Sequence, residues 1–184
     1  MSLQACAEIV ERGDPDRFLA AMAAPPAARG VLFALYAFNL EVARAPWVTQ
    51  EPMIAEMRLQ WWRDALEEIA AGQGVRRHEV TEPLAGVLDA EGAHLLDQLV
   101  AARRWDIYHE PFEDAAHFAR YIDATSGNLF WAAARALGAE TGEAALRDMA
   151  WASGLASWFC AVPELEARGR RPLPDGRPEA VAEL

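Results

Sequence analysis

Residues 26–44 read PAARGVLFALYAFNLEVAR, a largely apolar stretch that begins at a proline pair and ends just before another proline. Its large apolar side chains recur every three or four residues, which places them on one side of an α-helix. Pro26 suits the first turn of a helix, and Pro46 cannot continue the backbone hydrogen bonds. The stretch therefore predicts a helix whose apolar side enters the core. That side carries Val31, Leu32, Leu35, Phe38 and Val42.

The same spacing continues along most of the chain, and no window alternates with period two for long enough to indicate a strand. We therefore predict an all-α fold. Asp14, Thr49 and Thr81 are expected to cap helices, because their side chains can accept hydrogen bonds from a first helical turn. The further predicted helices are residues 15–22, a helix from Thr49 to Gly72, 93–108, 114–138 with a weak point at Ser126 and Gly127, and 142–162 before a loop that follows Pro163.

Length and charge limit the classes of protein that this chain can belong to. Its 184 residues are expected to form one domain. A net charge of -11 repels the phosphates of nucleic acids and an anionic membrane surface, so we expect no nucleic-acid partner. All the basic residues are arginine, and the absence of lysine excludes Schiff-base chemistry and the P-loop.

Two further patterns bear on location. Cys6 and Cys160 stand far apart, so neither a disulfide framework nor a zinc site is indicated. The longest uncharged stretch, residues 149–163, is shorter than the about 18 residues that suggest a spanning helix. The first twelve residues lack a basic segment before an apolar run, so they do not resemble a signal peptide. We expect a cytoplasmic location, with attachment to the inner membrane surface as an alternative.

Carboxylate pairs on one helix face are candidates for holding a cation. Asp64 and Glu68 are four residues apart, but a solvated helix face is the ordinary explanation for such a pair. Glu110 and Asp114 flank Pro111, which favours a loop and a helix cap. Neither pair predicts a metal site.

Two segments of the chain resemble the squalene and phytoene synthase family. They are residues 32–39, LFALYAFN, and residues 58–66, RLQWWRDAL. Residues 121–127, YIDATSG, and residues 168–174, RGRRPLP, resemble later segments of that family in the same order. The resemblance implies the isoprenoid synthase fold, a helical bundle around a deep apolar cavity. It also implies that residues 1–184 form one such domain, without the helices that normally close it at the C-terminal end.

Catalytic members of that family carry an Asp-x-x-x-Asp motif on each of two helices that face each other across the cavity mouth. Carboxylates at i and i+4 share a helix face, and two such faces hold Mg²⁺ ions that neutralise a departing diphosphate. In this chain the resemblance places Ala43, Arg44 and Trp47 at the first motif and Ala161 and Leu165 at the second. Both motifs are therefore missing.

A family scaffold without either motif resembles the non-catalytic branch that includes mitochondrial complex I assembly factors and their bacterial relatives. This resemblance implies a pseudoenzyme with no metal cofactor, whose partners are subunits of respiratory complex I or an isoprenoid or lipid-like ligand. Homo-oligomers are a further expectation, because missing helices would leave apolar surface uncovered. By the same resemblance, the side chains expected to line the cavity are Tyr36, Phe38, Asn39, Arg44, Arg58, Trp62, Tyr121 and Gly127.

An enzymatic alternative stays open on the sequence alone. A divergent prenyl transferase acting on farnesyl or geranylgeranyl diphosphate in isoprenoid biosynthesis would need other acids to hold Mg²⁺. The acids nearest to the lost motifs are Glu41, Glu164 and Glu166. One carboxylate on the first helix and two around Pro163 do not rebuild two cation clamps.

Overall fold

The computed structural model describes residues 3–108 and 110–182, and within them the regular structure is helical, with no β-strand. The all-α prediction is therefore confirmed. The helices in chain order are α1 (Leu3–Gly13), α2 (Pro15–Ala23), α3 (Pro26–Arg44), α4 (Pro52–Ala70), α5 (Thr81–Ala85), α6 (Ala90–Ala102), a 3₁₀ turn (Arg103–Asp106), α7 (Ala115–Ile122), a π-helical turn (Asp123–Gly127), α8 (Asn128–Ala136), α9 (Glu143–Ala167) and α10 (Pro178–Val181).

Of the helix caps predicted at Asp14, Thr49 and Thr81, one is present in the structure. The Asp14 carboxylate accepts a hydrogen bond from the backbone N–H of Arg17 at 3.0 Å, which confirms the predicted cap of α2. The predicted caps at Thr49 and Thr81 are wrong. Thr49 accepts from the N–H of Glu51, which precedes α4. The buried Thr81 is itself the first residue of α5, and its hydroxyl donates to the Arg76 carbonyl at 2.6 Å.

Two predicted helix ends also need correction. The helix expected over residues 93–108 ends at Ala102 and tightens into the 3₁₀ turn. The helix expected to stop before Pro163 continues as α9 to Ala167, with the proline inside it. Leu165 is buried against the aromatic side chains of the second core, and this packing favours another helical turn despite the lost N–H. Gly169, at φ 75°, then ends the run.

The buried side chains form two groups. The larger lies among α1, α3, α4, α6 and α8 and includes Leu35, Phe38, Leu59 and Leu99. The smaller, here called the aromatic cluster, consists of Phe112, Phe118, Tyr121, Ile122, Trp158 and Leu165. It joins α7 and the loop before it to α9. The candidate site lies where these two groups meet.

Exposed apolar side chains remain on α9 and at the start of α4. Met149 on α9 is 56% exposed and Met53 on α4 is 75% exposed. No helix in residues 3–108 and 110–182 combines the length and apolar character needed to cross a bilayer. The expectation of homo-oligomers stays a prediction.

Candidate functional site

A cavity of about 510 Å³ opens between α3, the α7–π–α8 segment and α9. Its volume lies within the range of roughly 300–1,000 Å³ that is typical of small-molecule sites. α3 contributes Asn39 and Ala43 to the wall, and α9 contributes Gly154 and Trp158 along its length. The start of α2 reaches the rim through Arg17. Three of the four segments that carry the resemblance therefore contribute to one site, and residues 58–66 on α4 do not.

The π-helical turn shapes one wall of this cavity. It lies at the predicted weak point, and it places Thr125 and Ser126 on the wall. The Ser126 hydroxyl donates to the Ala150 carbonyl of α9 at 2.7 Å. Gly154 permits this close approach, since a Cβ there would lie 2.8 Å from the Ser126 Cβ. Wide turns of this kind occur often at functional sites, because they redirect side chains without ending the helix.

A buried polar network supports the floor of the site. The Tyr121 hydroxyl donates to the Asp106 carboxylate at 2.9 Å, and Arg103 donates to the same carboxylate at 3.2 Å and to the Tyr121 oxygen at 2.9 Å. Burial raises the pKa of the Tyr121 phenol. Burial opposes the charge of Arg103, but Tyr121 and Asp106 outweigh it and raise the pKa of its guanidinium. The network therefore keeps a neutral phenol and a charged guanidinium beside the cavity.

The basic loop after α9 is attached to the same network. The buried Arg170 donates to the main-chain carbonyls of Asp106 at 3.0 Å and Trp105 at 3.1 Å. Its guanidinium also lies 4.8 Å from the centre of the Trp105 ring. The Trp158 indole donates to the Pro172 carbonyl at 2.9 Å. These contacts fix the loop against the aromatic cluster at one end of the cavity.

Four of the positions at which the resemblance places the missing aspartates lie on the cavity wall. Ala43 and Trp47 line it from the end of α3 and the turn that follows, and Ala161 and Leu165 line it from α9. Each side chain lacks an oxygen that could bind a cation. Arg44 projects to solvent instead, with its side chain 65% exposed, and makes an ion pair with Glu41 at 3.8 Å.

The sequence profile of the squalene/phytoene synthase family matches residues 10–176. The chain belongs to this family. Similar proteins include a Drosophila melanogaster homologue of NADH dehydrogenase (ubiquinone) complex I, assembly factor 6, which is 31% identical over 131 residues, or 67% of this chain and 39% of the relative. The human and bovine assembly factor 6 proteins are each 24% identical over 183 residues, or 92% of this chain and 52% of each relative. The chain thus spans about half the length of the curated relatives it matches.

The Mg²⁺ that the fold of this family implies does not fit the residues present. Glu41 is paired with Arg44, and Glu164 makes a 2.7 Å ion pair with Arg168. Glu166 is exposed and does not line the cavity. Within residues 3–108 and 110–182, no three His, Cys, Asp or Glu side chains come together as a cation site would require. The donor set needed by a divalent ion clamp is therefore missing from the described wall.

The squalene/phytoene synthase resemblance predicts eight lining residues, of which Asn39 and Tyr121 lie on the wall. Phe38 and Trp62 pack edge to face in the larger core, with ring centres 5.3 Å apart. The side chains of Arg44 and Arg58 point to solvent. These four lie away from the described lining.

The remaining two expected residues sit next to the cavity. Tyr36 carries the guanidinium of Arg17 over its ring at 5.4 Å, and Arg17 is the residue that reaches the wall. Gly127 is buried in the π-helical turn, where a Cβ would collide with the Asp123 carboxylate. Tyr36 and Gly127 therefore lie next to residues of the wall and do not line the cavity themselves.

Asp64, Glu68 and Asp114, from the other two carboxylate pairs, have partners of their own. Asp64 and Glu68 both pair with Arg76, at 3.5 and 2.6 Å, and hydrogen bonds from Arg76 lower the pKa of Glu68. Asp114 caps α7 by accepting from the His117 N–H, as predicted. At Asp64 and Glu68, the Arg76 guanidinium therefore lies where a cation bound by this pair would lie.

Sequence reasoning missed Arg103 and Asp106, which join the floor of the cavity. They lie three residues apart in the 3₁₀ turn that follows α6, and such a pair of opposite charges is ordinarily solvated. Tyr121, which is part of the resemblance, could have indicated that such residues exist, because a buried phenol needs a polar partner.

Proposed function

We propose that this chain is a non-catalytic member of the squalene/phytoene synthase family and acts in the assembly of respiratory complex I. The observation that carries the proposal is the composition of the wall where the family's aspartates belong: Ala43, Trp47, Ala161 and Leu165. Ionisation of an allylic diphosphate needs divalent cations at that place to neutralise the departing charge. These four side chains have no oxygen ligand and offer no such neutralisation.

The relatives support the assembly part of this proposal. Those that match over 92% of the chain carry the name complex I assembly factor 6. Helices of the chain surround a cavity, and the positions assigned to the aspartates carry other residues, which is consistent with a scaffold retained for binding. We propose that it meets complex I subunits on the cytoplasmic side of the inner membrane.

Deletion of the gene in its own organism tests the role in assembly. We expect lower rotenone-sensitive NADH:ubiquinone oxidoreductase activity in isolated membranes and less assembled complex I on blue-native gels. Re-expression of the chain restores both, while succinate dehydrogenase activity stays unchanged as the control. Normal complex I levels in the deletion strain would overturn the assembly role.

A direct assay tests the absence of catalysis. The purified protein is incubated with Mg²⁺ and farnesyl or geranylgeranyl diphosphate, and released pyrophosphate is measured beside a catalytic family member. We expect release at the rate of the protein-free control. Enzymatic release above that rate would favour the prenyl transferase that holds Mg²⁺ through Glu41, Glu164 and Glu166.

A further inference from the structure

The charges on the cavity wall are neutralised in pairs. Three arginines and three carboxylates line the cavity, so the lining side chains sum to zero charge. Each arginine lies within ion-pair distance of one of these carboxylates. The pairs are Arg17 with Asp14 at 3.6 Å, Arg103 with Asp106 at 3.2 Å, and Arg168 with Glu164 at 2.7 Å. An anionic ligand would therefore compete with a carboxylate for each of these guanidinium groups.

One buried polar side chain on the wall has no partner. Asn39 is only 6% exposed and lines the cavity, yet its amide makes no hydrogen bond with the described residues. Of the other small polar side chains there, Thr125 donates to the Tyr121 carbonyl and Ser126 to the Ala150 carbonyl, and Ser157 is exposed. Bound molecules commonly satisfy polar groups that the protein leaves without a partner.

The rest of the interior is apolar. Ile122 of α7 and Leu129 of α8 line it, as do Trp158 and Leu165 of α9. An amide offers both a donor and an acceptor but no charge. The combination of a neutral polar group with an apolar chamber suits a molecule that has one uncharged polar group and a hydrocarbon body.

We propose that the cavity binds an uncharged amphiphile whose single hydroxyl or carbonyl group is hydrogen-bonded by the Asn39 amide. The hydrocarbon part lies against Leu129, Trp158 and Leu165. This inference rests on the proposed function in one respect: the cavity is retained for binding and not for diphosphate chemistry. It names the ligand class of that site.

Binding of defined probes tests the proposal on the whole chain. Farnesol is the uncharged probe, farnesyl diphosphate with Mg²⁺ is the charged probe of the same skeleton, and farnesane lacks the polar group. Quenching of tryptophan fluorescence reports occupancy, because Trp47 and Trp158 line the cavity. We expect farnesol to bind at least tenfold more tightly than the other two.

Substitution of Asn39 separates binding from folding. Asn39→Leu keeps the size of the side chain and removes the amide, so farnesol affinity should fall about tenfold, the loss of roughly one hydrogen bond. Farnesane affinity should not change. The melting temperature should not fall, because the amide has no partner in the described residues. If this variant does not fold, Ala43→Phe, which fills the cavity, must abolish farnesol binding instead.

The outcomes distinguish this proposal from the proposed function. Tighter binding of farnesyl diphosphate without pyrophosphate release would leave the non-catalytic function standing and overturn the proposal of an uncharged ligand. Equal farnesol affinity in the wild type and Asn39→Leu would also overturn it, as would the absence of binding by any probe. Pyrophosphate release would overturn the non-catalytic function.

Discussion

The Tyr121 phenol donates to both carboxylate oxygens of Asp106, at 2.9 and 3.0 Å, across 15 positions of sequence. Both residues are buried, so the bond joins the 3₁₀ turn to α7 inside the protein. Arg103 donates to the same carboxylate and lines the cavity beside them. The floor of the site is therefore held by polar contacts, and each depends on the others remaining in place.

Replacing Tyr121 by phenylalanine should destabilise the fold. The substitution removes a donor and leaves a buried carboxylate with fewer partners, which costs roughly 1–3 kcal/mol in the free energy of unfolding. Urea denaturation followed by circular dichroism measures the loss. Tyr108→Phe is the matched control, because Tyr108 is 44% exposed although it also donates to a carboxylate, that of Glu56. Equal losses in the two variants would contradict the argument from burial.

Cys6 should make the protein less stable in alkaline solution. Burial, with a smaller effect of Glu79, raises the pKa of its thiol from 9.0 to about 11. The unfolded chain therefore loses this proton first as the pH rises. The stability that the thiol contributes is complete below about pH 9 and falls towards pH 11, by about 2 to 3 kcal/mol in all.

The pH dependence of Cys6→Ala provides the measurement. Urea midpoints of the wild type and the variant are compared at several pH values between 8 and 11. The difference between the two free energies should shrink as the pH rises. A constant difference would show that the thiol ionises alike in the folded and unfolded chains.

Local chemistry and family resemblance predicted part of this structure because both depend on residues that are near in sequence. The apolar spacing of residues 26–44 gave α3 its bounds, and Asp14 caps α2 as expected. Ser126 and Gly127, which interrupt the helical pattern, lie in the π-helical turn. The replaced aspartate positions face one cavity.

The features that the sequence did not predict depend on contacts between distant segments. α9 passes through Pro163 because Leu165 is buried against the aromatic cluster. Whether Phe38 lines a cavity or packs on Trp62 depends on how α3 and α4 are rotated, which periodicity does not fix. The rotation of α3 also decides that Asn39, the next residue, lines the cavity.

Gly154→Ala should destabilise the protein although alanine favours helices. Alanine gains about 1 kcal/mol of helix propensity over glycine. Its Cβ would lie 2.8 Å from the Ser126 Cβ and 2.9 Å from the Ile122 Cγ2, and overpacking of buried groups costs roughly 1–3 kcal/mol. We expect a net loss because both neighbours are buried. Thermal and urea denaturation measure it.

Gly74→Ala is the control for the Gly154 experiment. Nothing lies within 4 Å of a Cβ at that position, so the substitution should be neutral or stabilising by under about 1 kcal/mol. A stabilised Gly154→Ala would show that α9 moves away from the π-helical turn at little cost.

Restoring carboxylates to the wall should restore cation binding. Ala43→Asp with Ala161→Asp places one carboxylate on α3 and one on α9, at partly exposed positions that line the same cavity. Mg²⁺ with pyrophosphate should then raise the stability of the double variant by about 1 kcal/mol or more, as linkage requires at ligand concentrations several times Kd. The Asn variant at both positions has the same shape without the charge and should gain nothing. An equal gain by the wild type would mean that its remaining acids already hold Mg²⁺, because no other residue differs, and the case for a non-catalytic wall would then fail.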